Sequence, residues 1–534
     1  MMKLLNFLQK NRLFFIFLSI YILLRLIFLN VNYTEWGDTF RMIRASEFIS
    51  QFSWPWDEKR WPFYSLLLVP GIYLNQPVLW GRILGVFISS LTLFFIYLTY
   101  LSFISKNKKY ALIAVILTST TSVFSYWSLR VMADPFFTLV VVVYSYLFAK
   151  IFSNSKLKFS YSILMSVMLL IATMTRLEGV FLVTATGLFL LINKRVKDII
   201  LVAIPQSLIY LPWTIYAKFL YSGPVQNDYL VEASRFVFNF ERLFYFFSYT
   251  LFILTIPISA YFIYLGLSKF KEYKINNAVF FIPLVFILQE IILGFIWTPS
   301  LPRIYTPIIP FLVILLIFGI ETLTIQKLKT NFVIISGILT TLFVILQYKQ
   351  RLYFLGVSKL PFAVTTIFSL LVILLVLIYV KQAKKILVAY LIFISILISF
   401  TTIYNQKDIY KTVRQATAYL ENKDGKVAYA DETGVTQWYL RNNSYYLESN
   451  KSYSYGEMLQ IFKQNNVKYV LETSEFNRGS MFEDIKGSKG SKDYTLLVTF
   501  KQPIRDLFDK LLDNIGIAED KDYTVFVSNI YKVN

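Results

Sequence analysis

The chain predicts a polytopic α-helical membrane protein that ends in a small α/β domain outside the membrane. Three observations predict it. Of 534 residues, 56% are hydrophobic and the mean hydropathy is +0.55, which excludes an ordinary soluble globular protein. The apolar residues gather into runs of roughly 20, the length that crosses a bilayer as helix. From about Thr401 those runs stop and polar, charged sequence takes over.

Spanning helices are predicted near 13–31, 79–104, 110–128, 134–152, 160–175, 178–193, 198–217, 243–266, 278–298, 306–325, 331–347, 361–380 and 386–402, about thirteen in all. The first run, from Leu13, is preceded by charge and long enough to span, so it reads as a helix and not as a cleavable signal. The run 63–74 is too short to span and is interrupted at Pro70-Gly71; it reads as a juxtamembrane helix.

Loop charge gives the orientation. Alternate loops are basic: Lys3, Lys10 and Arg12; Lys106, Lys108 and Lys109; Lys150, Lys156 and Lys158; Lys194, Arg195 and Lys197; Lys269, Lys271 and Lys274; Lys327 and Lys329; Lys381, Lys384 and Lys385. The positive-inside rule makes these cytoplasmic. The N-terminus is then cytoplasmic, and an odd helix count puts the C-terminus outside. These loops also account for most of the net charge of +21, which in a soluble protein would point to nucleic acid. The loops 32–62 and 218–242 are of mixed charge and belong to the outer face.

The tail alternates helix-like stretches, 408–421 and 455–465, with strand-like runs at 426–430, 467–471, 495–500 and 525–527. Residues 486–493, with Gly-Ser-Lys repeats, read as a loop. The expected domains are therefore a transmembrane part, 1–402, with a first outer loop over 32–78, and an extracytoplasmic α/β part, 403–534. No internal repeat suggests an inverted-repeat transporter.

The chain has no Cys and no His, so disulfides, thiolate metal sites and imidazole bases are excluded. Proton transfer falls to Asp and Glu, and a metal would need oxygen ligands. No Gly-rich nucleotide loop is present, so a soluble nucleotide-sugar donor is not supported.

Charge inside apolar segments costs several kcal/mol and is usually kept for function. Arg25, Arg82, Arg130, Asp134, Arg176, Glu178, Glu290 and Arg303 are such residues, and nearly all fall at the outer ends of the predicted helices. They surround the outer loop that carries Trp36-Gly37-Asp38 and Arg60-Trp61-Pro62-Phe63-Tyr64. Several guanidinium groups at one bilayer face suit an anionic lipid, because the planar fork donates bidentately to phosphate.

Each residue also has a plainer reading. Asp38 would ordinarily be a solvated loop residue, and Asp134, before Pro135, an ordinary helix cap. Arg60 would bind headgroups from an interfacial aromatic segment. Arg176 and Glu178 share a very short turn and would pair with each other. Arg303 follows a Pro-rich loop; Glu290 calls for a basic partner or a wet cavity. Glu321 would reach the cytoplasmic interface, and Trp213 would be an interfacial anchor.

In this order and topology, the residues resemble the polyprenyl-phosphate-dependent membrane glycosyltransferases of the GT-C class, near the dolichyl-phosphate-mannose protein mannosyltransferases and the bacterial aminoarabinose lipid A transferases. Asp38 matches the acidic residue of the family's first outer loop. Arg60-Trp61-Pro62-Phe63-Tyr64 matches a Lys-Pro-Pro-Leu-Tyr-like segment, with Arg for Lys. Gly81-Arg82-Ile83-Leu84 matches an Ala-Arg-Leu-like start to helix two, and Asp134 a second Asp opening helix four. Thr175-Arg176 matches a Thr-Lys-like turn; Arg303-Ile304-Tyr305-Thr306-Pro307 with Pro310 echoes a late Arg-Tyr-x-x-Pro-x-x-Pro-like segment. The likeness covers roughly residues 10–320. Two departures matter: Thr39, where the protein mannosyltransferases pair Asp with Glu, weakens a protein acceptor, and the tail lacks a Trp-Trp-Asp-Tyr-Gly motif, against an oligosaccharyltransferase.

The resemblance implies transfer of a sugar from a polyprenyl monophosphate to a glycan, lipid or protein acceptor on the outer face, with inversion. It assigns Asp38 as base and Asp134 to orient the acceptor or loop. Arg60, Arg176, Arg303 and Arg82 would hold the donor phosphate, with Glu35, Glu58, Tyr64, Arg130, Glu178 and Glu290 in support. No cofactor is required; Asp38, Glu35 and Glu58 are the carboxylates that could hold a divalent ion. The alternatives are a flippase for an anionic polyprenyl-linked lipid, and a scaffold whose outer domain binds cell-wall material. Compact loops and the lack of Cys favour a prokaryotic cell membrane.

Overall fold

A computed structural model describes residues 2–55, 58, 60–152, 159–216, 258–269, 278–296, 302–322, 383–430, 434–447, 453–474, 492–503 and 525–534. It divides into two compact units: residues 1–29 with 48–404, and residues 30–47 with 405–534. The composition shift near Thr401 falls close to the second junction. The segment 30–47, which the sequence groups with the first outer loop of the membrane part, belongs to the same unit as the tail.

The first unit is helical: α1 (Met2–Lys10), α2 (Arg12–Ile27), α4 (Pro62–Tyr73), α5 (Pro77–Thr99), α6 (Lys108–Thr120), α7 (Ser122–Trp127), α8 (Ala133–Phe152), α9 (Phe159–Thr173), α10 (Gly179–Ile192), α11 (Val196–Pro205) and α12 (Leu211–Ile215). Helices Ile258–Lys269, Ala278–Ile296, Ile309–Thr322 and Ala383–Gln406 follow. Among the described residues five helical stretches are long and apolar enough to cross a membrane: Pro77–Ile104, Ala133–Phe152, Val196–Ile215, Tyr305–Thr322 and Lys384–Leu420, of which the helix Ala383–Gln406 is the apolar part. Several of their outward faces are apolar too, with Phe87, Leu208, Phe393 and Ile396 all exposed. Faces of that kind suit lipid, and the chain is an integral membrane protein.

The predicted spans at 331–347 and 361–380 lie outside the described residues, and the span at 243–266 is described only from Ile258. The predicted helix over 110–128 is broken at Thr121, whose backbone is extended (φ −61°, ψ 138°). The cause is local: Thr118, Thr120 and Thr121 turn their hydroxyls back onto the carbonyls of Ala114, Ile116 and Thr118, which competes with the helical ladder. Helix α4 runs through Pro70-Gly71 without a break.

Packing inside lipid needs close backbones, because lipid tails leave no hydrophobic drive for helix association. Helices Ile258–Lys269 and Ile309–Thr322 supply this with Gly266 and Gly319: a Cβ on Gly319 would lie 1.9 Å from the Phe262 carbonyl oxygen. At the predicted cytoplasmic end Glu321 is tied down. Its carboxylate accepts from Tyr100 Oη at 2.6 Å and Ser105 Oγ at 2.7 Å, and Lys384 Nζ donates to its carbonyl at 2.8 Å.

In the second unit, helix α3 (Gly37–Ser50) begins in the first segment, in sequence expected to be loop. The tail supplies a five-stranded mixed sheet, ordered β2-β1-β3-β5-β4: β1 (Lys426–Tyr429), β2 (Ser444–Tyr446), β3 (Val467–Thr473), β4 (Tyr494–Pro503) and β5 (Val525–Val533). Strand β1 pairs parallel with β2 and β3; β5 pairs antiparallel with β3 and β4. Helices Lys411–Leu420, Val435–Leu440 and Tyr455–Gln464 accompany it; the last starts with a Ser454–Glu457 capping box. Two buried clusters, one around Met458, Phe462 and Val470, the other around Ala416, Leu420 and Ile530, fill the space between sheet and helices.

Candidate active site

The first unit concentrates its ionic side chains around one turn, Met174–Glu178, between α9 and α10. The turn is short because Gly179 sits hard against the end of α9: a Cβ there would lie 2.4 Å from the Ala172 carbonyl carbon. Arg176 rises from this turn between two carboxylates. It donates Nε–H to Glu178 Oε2 at 3.1 Å and a second N–H to Glu178 Oε1, and its third side reaches Asp134 Oδ1. Asp134 stands in the first turn of α8 and is 1% exposed. Its side chain is directed to a residue 42 positions away. Arg176 also packs 6.0 Å from the Phe137 ring centre.

Two further segments of the first unit meet this turn. The turn Pro302–Ile308 packs against α7, α8 and Ala278–Ile296. It carries Arg303, whose charge acts favourably on Glu178 and whose guanidinium lies 5.9 Å from the Trp127 ring centre. With Arg303 included, two cations and two carboxylates balance. The Arg60 segment is held by the turn as well: the Phe63 N–H donates to the Met174 carbonyl at 2.9 Å, and the Phe63 ring stacks on Phe136 at 5.7 Å. Arg60 itself pairs with Glu58, by backbone N–H at 2.8 Å and by guanidinium at 3.0 Å. Upstream, Trp54 meets Trp213 edge-on at 5.2 Å, and Trp61 stacks on Tyr210 at 6.3 Å. Trp213 thus supports the loop that leads to Arg60.

Two arginines lie deeper. Arg130 is 1% exposed and 5.0 Å from the Tyr126 ring centre. Arg25 donates to the Ser125 carbonyl at 2.9 Å and lies against Tyr21. Arg82 is half-buried near the start of α5, and Tyr64 and Tyr305 are fully buried. The first unit thus joins Asp134, Arg176 and Glu178 directly, with Arg303 beside them and Arg60 and Glu58 as a separate pair. Glu290 lies in Ala278–Ile296, but its side chain is outside the described residues. Sequence reasoning did not single out Tyr210 or Phe136, which hold the Arg60 segment; their aromatic character inside apolar helices carried no distinguishing signal.

Asp38 and Glu35 belong to the second unit. Glu35 is 1% exposed; Asp38 is half-buried in the first turn of α3. Among the described residues no group of three or more carboxylates converges as a metal site.

This architecture is shared with solved structures. Over 98% of this chain and 98% of the other, it superposes on ArnT from Cupriavidus metallidurans bound to undecaprenyl phosphate, with a TM-score of 0.59 at 14% identity. The chain has the GT-C fold. The apo state of the same ArnT matches over 96% of this chain and 97% of the other (TM-score 0.57, 13% identity). The apo oligosaccharyltransferase of Archaeoglobus fulgidus matches over 90% of this chain and 73% of its own (TM-score 0.50, 11% identity). No family model matches the sequence, and no curated protein does. The GT-C likeness is therefore one of fold, carried at an identity where few side chains coincide.

Proposed function

We propose that this protein transfers a sugar from a polyprenyl monophosphate to an acceptor hydroxyl or amine on the outer face of a prokaryotic cell membrane. The observation that carries the reading is the whole-length likeness to ArnT bound to undecaprenyl phosphate. The arginine-rich end of the first unit supports it, since Arg25, Arg60, Arg82, Arg130, Arg176 and Arg303 outnumber Asp134, Glu178 and Glu58 there. A net positive, membrane-embedded end suits a lipid phosphate.

In the proposed step the acceptor attacks the anomeric carbon as the bond to the phosphate oxygen breaks. The acceptor proton passes to Asp38, and polyprenyl phosphate leaves with both bonding electrons. Arg60, Arg82 and Arg303 meet the charge that develops on the leaving oxygen. Arg176 acts with them by keeping Asp134 and Glu178 neutralised, so that two carboxylates do not repel the phosphate. The new bond forms on the face opposite the leaving group, giving inversion.

The test is release of free polyprenyl phosphate from a panel of polyprenyl-phosphate sugars, by the purified protein and by Asp38→Asn in detergent with membrane extract as acceptor source. Release by wild type and not by the variant is expected. Movement of donor across a vesicle membrane with its sugar–phosphate bond intact would replace this reading with a flippase.

A further inference from the structure

Asp38 is gripped from both sides along the chain by the tail's own residues. Before it, the Tyr33 N–H donates to the Lys407 carbonyl at 2.9 Å, the Thr34 and Tyr439 hydroxyls lie 2.7 Å apart, and Trp36 packs on Tyr410 at 5.9 Å. After it, the Phe40 ring, 2% exposed, sits 5.9 Å from Trp438 and 5.4 Å from Tyr439, in a cluster with Tyr410, Val413 and Val435. Two turns on, Glu47 pairs with Arg441 at 2.8 Å.

The gripping residues are themselves fixed. Arg441 lies 4.1 Å from the Trp438 ring centre and Arg414 lies 4.2 Å from that of Tyr439. Arg441 thus braces the ring that packs on Phe40 and binds Glu47. Tyr410 and Arg441 also adopt left-handed backbone (φ 57° and 51°). That conformation costs a non-glycine residue about 1 kcal/mol or more and persists where its surroundings impose it. Two strained residues both meet the same short segment. Helical geometry then fixes where Asp38 points: Phe40 and Glu47 lie roughly 180–200° round α3 from it, so the gripped face is opposite the Asp38 face.

We infer that the Trp438–Arg441 corner of the C-terminal unit is a positioning element, which holds α3 by Phe40 and Glu47 and thereby sets the placement of Asp38. The catalytic consequence rests on the proposed transferase reading; the clamp does not. It also gives the C-terminal unit a task in the reaction besides any recruitment of acceptor.

The test uses the full chain in detergent with Trp438→Ala, Trp438→Phe and Arg441→Gln, the last keeping the core intact. In Trp438→Ala, amide exchange over 37–47 should rise about tenfold or more while α5 and α8 stay protected. Donor turnover should fall about 10- to 100-fold, the cost of a misplaced group, while binding of undecaprenyl phosphate stays within about twofold. Trp438→Phe keeps an aromatic ring on Phe40 and should restore both; Arg441→Gln should show a smaller loss of the same kind. Unchanged exchange over 37–47 in both Trp438→Ala and Arg441→Gln overturns the clamp. Raised exchange with undiminished turnover, where Asp38→Asn is inactive, overturns the positioning role. If wild type releases no polyprenyl phosphate, or Asp38→Asn is fully active, the transferase reading fails and the exchange result alone decides the clamp.

Discussion

Replacing Arg176 by Gln separates a residue that binds phosphate from one that organises carboxylates. Arg176 spends hydrogen-bond donors on three sides upon Glu178 and Asp134, whose side chains are 11% and 2% exposed, and is itself 17% exposed. Removing one partner of a buried pair typically costs ~3–5 kcal/mol, because the remaining charge is left unpaired in a poorly solvated place. Residual exposure puts this site at the lower end, about 3 kcal/mol. Without Arg176, Asp134 loses its ion-pair partner and Glu178 is left with the charge of Arg303.

The decisive comparison is a cycle with Asp134→Asn, read as thermal midpoints in detergent. In the double variant Glu178 is again balanced by Arg303, so it should melt above Arg176→Gln alone, with a coupling of about 1–3 kcal/mol. Binding of undecaprenyl phosphate should recover in parallel. Additive losses in stability would refute the neutralisation argument. A double variant that regains stability but not lipid affinity would make Arg176 a direct phosphate ligand.

Other expectations follow from the same packing. Gly319→Leu should abolish a monodisperse peak on size exclusion, since even a Cβ meets the Phe262 carbonyl at 1.9 Å; a well-behaved variant would disprove the tight crossing. Burial and then the neighbouring Glu472 carboxylate push the Tyr531 phenol up to about 12. The fold therefore favours neutral Tyr531, and its contribution is complete below about pH 10 and lost as pH rises towards 12. Protein intact at pH 8 should lose tail structure over that window, and Tyr531→Phe should soften the loss; an unchanged profile would assign it elsewhere. Tyr100→Phe and Ser105→Ala should each lower the thermal midpoint by the equivalent of about 1 kcal/mol, because Glu321 loses a donor in a largely dry place.

Periodicity was enough for the elements with a strong apolar pattern. The strand-like runs 426–430, 467–471, 495–500 and 525–527 each overlap a β-strand, and 408–421 and 455–465 overlap the helices Lys411–Leu420 and Tyr455–Gln464. Strand β2 was invisible because three residues, Ser444–Tyr446, cannot show alternation. Helix α3 looked like loop because its mean polarity is high, although Phe40, Ile43 and Glu47 already mark one helical face. The break at Thr121 has its signal in the hydroxyl run 118–122, which a count of apolar residues overlooks. For the site, residue types were legible but pairings were not. Arg176 and Glu178 are close enough in sequence to expect a pair; Asp134 joins them across 42 positions, and only the fold creates that contact.

The two aspartates singled out by sequence differ in what their surroundings allow. Asp134 is buried and its Oδ1 is committed to Arg176, so a proton arriving there must compete with a guanidinium. Asp38 is half-buried, on the face of α3 turned away from the residues that hold it. A general base must come within hydrogen-bond reach of the proton it takes. Asp134→Asn removes one partner of a buried ion pair and should act mainly through stability, lowering the thermal midpoint. Asp38→Asn should leave the midpoint nearly unchanged and remove turnover. If instead Asp134→Asn kept its midpoint and lost turnover, the base would have to be sought beside Arg176, and the neutralised cluster would be the reaction centre itself.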